Sequence, residues 1–304
     1  MKATKLYRGD TIKLIAPAST FHKDRFIIAK RNLEKLGFKV THAQSIFNRY
    51  GNFAGKDEVR AKDFMDGITD PNVKALLCIR GGFGSAKIIS SLDSQLIKKN
   101  PKILIGFSDS TFLHIYFQSL GIPSFHGPML MSSFEKPTRQ FLKEFKHIFI
   151  DNKPLPVFGD KQTSVLRKGK ASGKVVGGNL ALVMSTMGTP YEINTKNAIL
   201  VLEDVDEPPY RIDRMLTQLQ MAGKLDELNG LIFGEFKNAI ATTKYSLPLI
   251  DIIKNITKHY AFPILYNFPV GHTNARNRIL PLGIQALINT HDMSLNYQEK
   301  ALKD

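Results

Sequence analysis

The sequence predicts an α/β protein of two domains, the first built on a mostly parallel sheet with helices on both faces. Three observations carry this prediction. Short apolar runs alternate with stretches of helical period through the first half of the chain, as strand–helix–strand crossovers require. Two glycine-marked turns, Arg80-Gly81-Gly82-Phe83-Gly84 and Gly106-Phe107-Ser108, directly follow apolar runs, at the strand ends where such sheets bind ligands. At 304 residues the chain is long enough to bury two cores.

The first strand, Thr11 to Ala16, is read from Leu14-Ile15-Ala16, and a helical period follows from Lys23 to Leu36. Phe38 to His42 is the second strand, with a helix over Lys56 to Ile68. Val73 to Ile79 is almost continuously apolar, the pattern of a strand covered on both faces; a helix over Ser85 to Ser91 follows. Strands over Ile103 to Gly106 and Pro123 to His126 complete the sheet, with helices over Asp109 to Leu120 and Thr138 to Ile150. From Asp151 to Gly173 the periodicity fades and Pro154, Pro156, Gly159 and Gly169 accumulate, so this stretch is expected to link a domain over 1–150 to one over 174–304. The second domain opens with Lys174-Val175-Val176-Gly177-Gly178-Asn179-Leu180 and continues through a strand, Ala198 to Leu202, into Glu203-Asp204. A helix over Tyr210 to Ala222 and strands over Leu228 to Phe233 and Pro263 to Tyr266 precede Val270-Gly271-His272.

Composition narrows the function. The net charge of +15 invites nucleic acid, but the lysines are dispersed and no basic segment interleaves with aromatics, so no nucleic-acid partner is expected. Such a charge suits an anionic small substrate, for example a peptide carrying several carboxylates. No run reaches the roughly 18 to 20 apolar residues of a membrane-spanning helix, so no membrane partner is expected either. Leu14-Ile15-Ala16 before Pro17-Ala18 is too short for the ~7 to 15 residue core of a secretory signal. The single cysteine, Cys78, fits a reducing compartment, and the expected location is the cytoplasm. Cys78 itself sits in an apolar strand pattern and reads as a small buried hydrophobe. No Cys, His, Asp or Glu cluster has zinc spacing, and neither turn carries a phosphate-loop or dinucleotide fingerprint, so no metal and no cofactor are expected.

The chemistry is expected at three strand ends. Lys102 to His114 runs from a buried-strand pattern through Gly106-Phe107-Ser108-Asp109 into a helical pattern, the layout of a nucleophile elbow, with Ser110 where a second glycine often stands. The alternative for Ser108 is the N-cap of the following helix. Backbone N–H groups of Gly82 and Asp109 can form a two-donor oxyanion hole. Glu203 and His272 also follow strand patterns and supply the carboxylate and base of a triad, in which the histidine takes the serine proton and the carboxylate fixes its tautomer. Glu203 paired with Arg211 or Arg214 is the structural alternative. His126 is the rival base, and His114, one helical turn beyond Ser110, lies along the helix flank rather than across a cleft.

Taken together and in order, these motifs resemble the serine LD-carboxypeptidases, the family that includes the microcin C self-immunity peptidases. The stretches that carry the resemblance are Gly9-Asp10-Thr11-Ile12, Ala16-Pro17-Ala18, Arg80 to Gly84, Gly106 to Asp109, His126-Gly127-Pro128, Gly177 to Leu180, Leu202-Glu203-Asp204, Tyr210 to Arg214, Gly271-His272 and Leu280 to Gly283. The resemblance implies a flavodoxin-like or glutaminase-like N-terminal sheet, a smaller C-terminal α/β domain and a homodimer. It implies Ser108 as nucleophile, Glu203 as carboxylate and His272 as base, with Arg80, Asn179 and Arg211 as further substrate-positioning candidates. The implied substrate is a murein tetrapeptide, free or as a muropeptide, losing its terminal D-alanine. Within the family the alternative is a peptidase of peptidyl- or aminoacyl-nucleotide conjugates. Such enzymes generally stack the base on a tryptophan, and this chain has none. Phe83 and Phe107 stand where many members carry tyrosine. A nonenzymatic binding protein is the reading from another class.

Overall fold

Ile103–Gly106 is buried at every position, and that is what places it inside a parallel sheet, where both faces are covered and no polar side is needed. The computed structural model describes residues 1–153, 156–273 and 275–304. In chain order its strands are β1 (Thr11–Ile15), β2 (Lys39–His42), β3 (Val73–Cys78), β4 (Ile103–Gly106), β5 (Ser124–His126), β6 (Val157–Phe158) and β7 (Ser164–Arg167). They continue with β8 (Lys170–Asn179), β9 (Ala198–Val205), β10 (Gly230–Lys237), β11 (Ile264–Tyr266), β12 (Leu280–Leu282), β13 (Gln285–Asn289) and β14 (Ser294–Tyr297). The chain divides into one unit of Met1–Leu155, Ile279–Gly283 and Lys300–Asp304 and another of Pro156–Arg278 and Ile284–Glu299.

The first unit holds a six-stranded sheet ordered β12-β5-β4-β3-β1-β2. All contacts among β1 to β5 are parallel, as the alternating pattern predicts, and β12 closes one edge antiparallel to β5. Helices Lys23–Glu34, Asp57–Thr69 and Thr111–Ser119 connect the strands. Ser85 to Ser91, expected as a helix, forms two 3-10 turns instead. Leu92 then turns extended, and Asp93 starts a separate helix, Ser94–Lys99, by accepting from the N–H groups of Gln95 and Leu96. The last helix, Arg139–Phe145, runs on as a π-helical turn over Lys146–Ile150. Its Phe145 and Phe149 rings pack 4.7 Å apart, and Phe149 packs 4.7 Å from Phe125 of β5. Such aromatic pairs add about 0.5–1.5 kcal/mol each beyond area burial.

The second unit holds an eight-stranded mixed sheet ordered β6-β14-β13-β8-β9-β10-β11-β7. Its centre, β8 to β11, is parallel, and the flanking contacts are antiparallel. The stretch 151–173 differs from the expected linker: β6, β7 and the start of β8 lie in it. Short edge strands are formed by pairing with β14 and β11, distant in sequence, and carry little periodicity of their own. Pro154 and Leu155 of that stretch lie outside the described residues. The expected 174–304 boundary differs as well, because Ile279–Gly283 and Lys300–Asp304 group with the first unit. Among the described residues no helix is long and apolar enough to cross a membrane.

Candidate active site

At Gly106, the last residue of β4, neighbours leave no room for a side chain: a Cβ would come within 2.6 Å of Ser110 Oγ and 3.0 Å of Cys78 Sγ. Two residues on, Ser108 has φ +59°, a left-handed conformation that costs an ordinary residue about 1 kcal/mol or more and is held only where surroundings over-determine it. A short 3-10 turn, Ser108–Ser110, precedes the helix from Thr111. Ser108 is half-buried and is not an N-cap: Phe107 holds that position for the turn and Ser110 for the helix, and no side chain caps either. The strained strand-to-helix turn of an elbow is therefore present at the serine the sequence singled out.

The glycine loop lies against this turn. A Cβ on Gly81 would stand 3.0 Å from Ser108 Oγ and 3.4 Å from the Asp109 nitrogen, so only a glycine lets the two backbones approach this closely. The Asp109 side chain ties them together. It is fully buried and accepts from Ser85 N at 2.8 Å and Gly84 N at 3.2 Å, while Ser85 Oγ donates to the Asp109 carbonyl at 2.5 Å. Burial pushes the Asp109 carboxyl up, against the pull of the Ser85 and Gly84 bonds. From the other side buried Arg60 donates to the Gly84 carbonyl at 2.8 Å and also to Pro17 O and Asp57. Ser19 Oγ accepts from Phe83 N at 3.2 Å. Phe83 is 53% exposed, whereas Phe107 is buried with its ring 5.8 Å from that of His126. Reading Asp109 as a backbone donor alone missed the work of its carboxylate; an acid directly after the elbow serine and before a buried helix is the available signal.

His114, His126 and Cys78, also in this region, are buried. His114 does not face Ser110: its Nδ1 is 2.9 Å from Ser124 Oγ and its Nε2 is 2.8 Å from the Gly106 carbonyl. A carbonyl only accepts, so Nε2 carries the proton and Nδ1 takes the Ser124 hydroxyl. Burial holds the ring neutral, with its pKa pushed down to about 4. His126 is 1% exposed and packs beside the rings of Phe107 and His114. Cys78 is buried with its thiol pushed up to about 12 by burial, which makes it inert, as the strand pattern implies.

In the second unit Glu203 and His272 are not at strand ends as expected: β9 continues past Glu203 to Val205, because it stays paired with β8 and β10, and His272 lies in the loop beyond β11. Glu203 is fully buried and its Oε2 is 2.7 Å from His272 Nδ1. The carboxylate accepts a hydrogen bond from Nδ1–H, leaving Nε2 as the basic nitrogen. Burial works against the charged ring, but the hydrogen bond and charge of Glu203, with the charge of Asp204, outweigh it and hold the His272 pKa above its ordinary value. Burial and the adjacent Glu203 also push the Asp204 carboxyl up to about 6. Arg211 pairs with Glu207 at 3.6 Å, not with Glu203.

Glu235, at the end of β10, fixes the loop that carries His272, and the sequence reading did not identify it. Its carboxylate accepts from Thr273 N at 2.8 Å and Thr273 Oγ1 at 2.7 Å, and Arg276 Nη1 lies 3.8 Å away. Gly271 has φ +149°, and a Cβ there would meet Glu235 Cβ at 2.8 Å, so glycine is needed both for the conformation and for the approach. Asn274 lies outside the described residues. Glu235→Ala is expected to cost about 1–3 kcal/mol by stranding the two Thr273 donors; the urea midpoint checks it, and an unchanged midpoint would assign the loop's order elsewhere.

The other three candidates have diverse settings. Asn179 is buried, caps the helix from Leu180 by accepting from Leu182 N at 3.1 Å, and donates to Asp204 at 2.8 Å. Arg211 is exposed on the helix Pro209–Met221. Arg80 is exposed and donates to the Thr20 carbonyl at 2.8 Å. Among the described residues no group of three or more His, Cys, Asp or Glu is placed to hold a metal ion.

Known proteins share these two domains. The LD-carboxypeptidase N-terminal domain matches residues 12–127 and the LD-carboxypeptidase C-terminal domain matches 172–288. A probable murein peptide carboxypeptidase of Bacillus subtilis is 38% identical over 293 residues, 95% of this chain and 92% of that protein. The murein tetrapeptide carboxypeptidase of Pseudomonas aeruginosa is 31% identical over 290 residues, 91% of this chain and 92% of that one. Among solved structures, muramoyltetrapeptide carboxypeptidase from Oxalobacter formigenes superposes with a TM-score of 0.85 at 26% identity, covering 94% of this chain and 97% of that one. The microcin C7 self immunity protein MccF, in complex with aspartyl sulfamoyl adenosine, reaches 0.91 at 22% identity over 100% of both chains, which shows a common fold. With both of its domains matched and a relative this similar along nearly its whole length, the chain belongs to the LD-carboxypeptidase family, peptidase family S66, and is a hydrolase of that family.

Proposed function

We propose that the protein is a serine LD-carboxypeptidase that removes the terminal D-alanine from murein tetrapeptides, free or as muropeptides. The observation that carries the reading is the strained Ser108 at the end of β4, in a family whose curated relatives are named for murein peptides. Ser108 Oγ attacks the carbonyl carbon of the third residue, and the carbonyl π pair becomes an oxyanion stabilised by the N–H groups of Gly82 and Asp109. His272 Nε2 takes the serine proton and delivers it to the D-alanine amine as the C–N bond breaks. Water, deprotonated by the same nitrogen, then hydrolyses the acyl ester and returns the proton to Ser108. Glu203 keeps the imidazole in the required tautomer and stabilises its charged form. The setting of Asn179 supports a role in ordering Asp204 beside this pair, and Arg80 and Arg211, both exposed, remain the candidates for direct contact with substrate. A cytoplasmic homodimer completes the reading: the single cysteine supports the compartment, which cell fractionation checks, and light scattering checks the dimer.

The test is mass spectrometry of L-Ala-γ-D-Glu-meso-diaminopimelyl-D-Ala after incubation with the protein, beside an aminoacyl sulfamoyl adenosine. D-Alanine release with the nucleotide conjugate intact is expected. Hydrolysis of the conjugate alone would replace the murein reading with that of a nucleotide-conjugate peptidase.

A further inference from the structure

In the first unit two cavities of about 320 and 310 Å3 share Phe21, His22 and Arg80 in their walls. The first is also lined by Lys23 and Arg49, and the second by Arg25 with an apolar wall of Met129 and Met131; no carboxylate lines either. Arg25 is neutralised by its ion pair with Glu135. Lys23, Arg49 and Arg80 form no ion pair with any described residue. Their contacts hold the side chains without cancelling charge: Arg80 Nη1 donates to the Thr20 carbonyl at 2.8 Å, Arg49 Nε to the Gly51 carbonyl at 3.2 Å, and Lys23 Nζ stands 5.1 Å over the Phe47 ring. A concave space lined by one sign of charge concentrates its field and favours an anion. Arg80 directly precedes Gly81, whose backbone lies against Ser108, so these cavities adjoin the glycine loop beside the proposed nucleophile.

We propose that the cavities form a subsite for a second anionic group of the substrate, carried on the acyl side of the scissile bond. Lys23, Arg49 and Arg80 take the anion, and Phe21, Met129 and Met131 take the apolar part beside it. The assignment to the acyl side rests on the LD-carboxypeptidase reading: the leaving group there is one alanine, far smaller than either cavity, so any bulk that fills them belongs to the acyl part. The anion is a carboxylate of the peptide or a phosphate of a nucleotide-linked muropeptide, and both present oxygens that guanidinium groups bind in the same way.

Binding rather than turnover tests this, so the subsite and the activity fail separately. The wild type and the variants Arg49→Gln and Lys23→Gln, both altered at exposed positions, are titrated calorimetrically with three probes: L-Ala-γ-D-Glu-meso-diaminopimelate, the same tripeptide with the glutamate α-carboxylate amidated, and UDP. The wild type is expected to bind the acidic tripeptide about tenfold more tightly than the amide, a preference that Arg49→Gln abolishes. Equal binding of the two tripeptides, with UDP affinity falling about tenfold in the variants, would identify the anion as phosphate and support the same subsite. No binding of any probe by the wild type, or affinities unchanged in both variants, overturns it. Loss of D-alanine release with these binding differences intact would overturn the activity and leave the anion subsite standing.

Discussion

Replacing Ser108 by glycine is expected to end D-alanine release and yet leave the protein at least as stable as the wild type. Removing a catalytic nucleophile typically costs about 10⁴- to 10⁶-fold in turnover. The stability half of the expectation comes from the backbone. Ser108 holds φ +59°, which costs a residue with a Cβ about 1 kcal/mol or more. Glycine adopts that conformation freely, although its extra freedom in the unfolded chain takes back about 0.5–1 kcal/mol. Ser108→Ala keeps the strain and loses the same hydroxyl, so it should be equally inactive without the gain. Single-turnover assays and urea midpoints of the two variants separate the effects. Retained turnover in Ser108→Ala would remove the serine from the chemistry, and a marked loss of stability in Ser108→Gly would mean that its hydroxyl, not its backbone, serves the fold.

Glu203→Gln is expected to lower turnover by about 10⁴-fold, the scale seen when an amide replaces the carboxylate behind a catalytic histidine. The amide presents a donor as readily as an acceptor to Nδ1, so the required tautomer is no longer enforced. The pH profile adds a readout that a purely structural role would not move. His272 acts as a base only when neutral, so activity rises with pH through a pKa that Glu203 helps to hold above the ordinary histidine value. In Glu203→Gln that acid limb should move to lower pH while the plateau falls. The linkage to stability has the same sign: because the folded pKa is raised, the pair stabilises the fold fully below the unfolded histidine pKa, and this contribution is lost as pH rises through the folded one. Urea midpoints of wild type and variant should therefore differ more at pH 5 than at pH 9. A variant whose acid limb and plateau match the wild type would return Glu203 to a structural role.

The order of parallel strands and the place of the elbow were legible because both are local. Ile103–Gly106 reads as a strand from its own residues, and the change to a helical period after Asp109 marks the turn. The Ser85 to Ser91 stretch was misread for the opposite reason. Its first residue, Ser85, is anchored by the carboxylate of Asp109, 24 residues away, and no periodicity within the stretch reports such a contact.

By itself, then, the sequence determined the α/β class, the parallel core of the first sheet and the strand end just before Ser108, since apolar spacing and turn residues act over a few positions of chain. Only the tertiary structure decided that β6 and β7 are strands, that β12 joins the first sheet, that Asn179 is committed to Asp204 and a helix cap, and that Glu235 clamps the His272 loop. Each of these depends on groups brought together across long stretches of chain, where hydrogen bonds and packing, not local pattern, set the outcome.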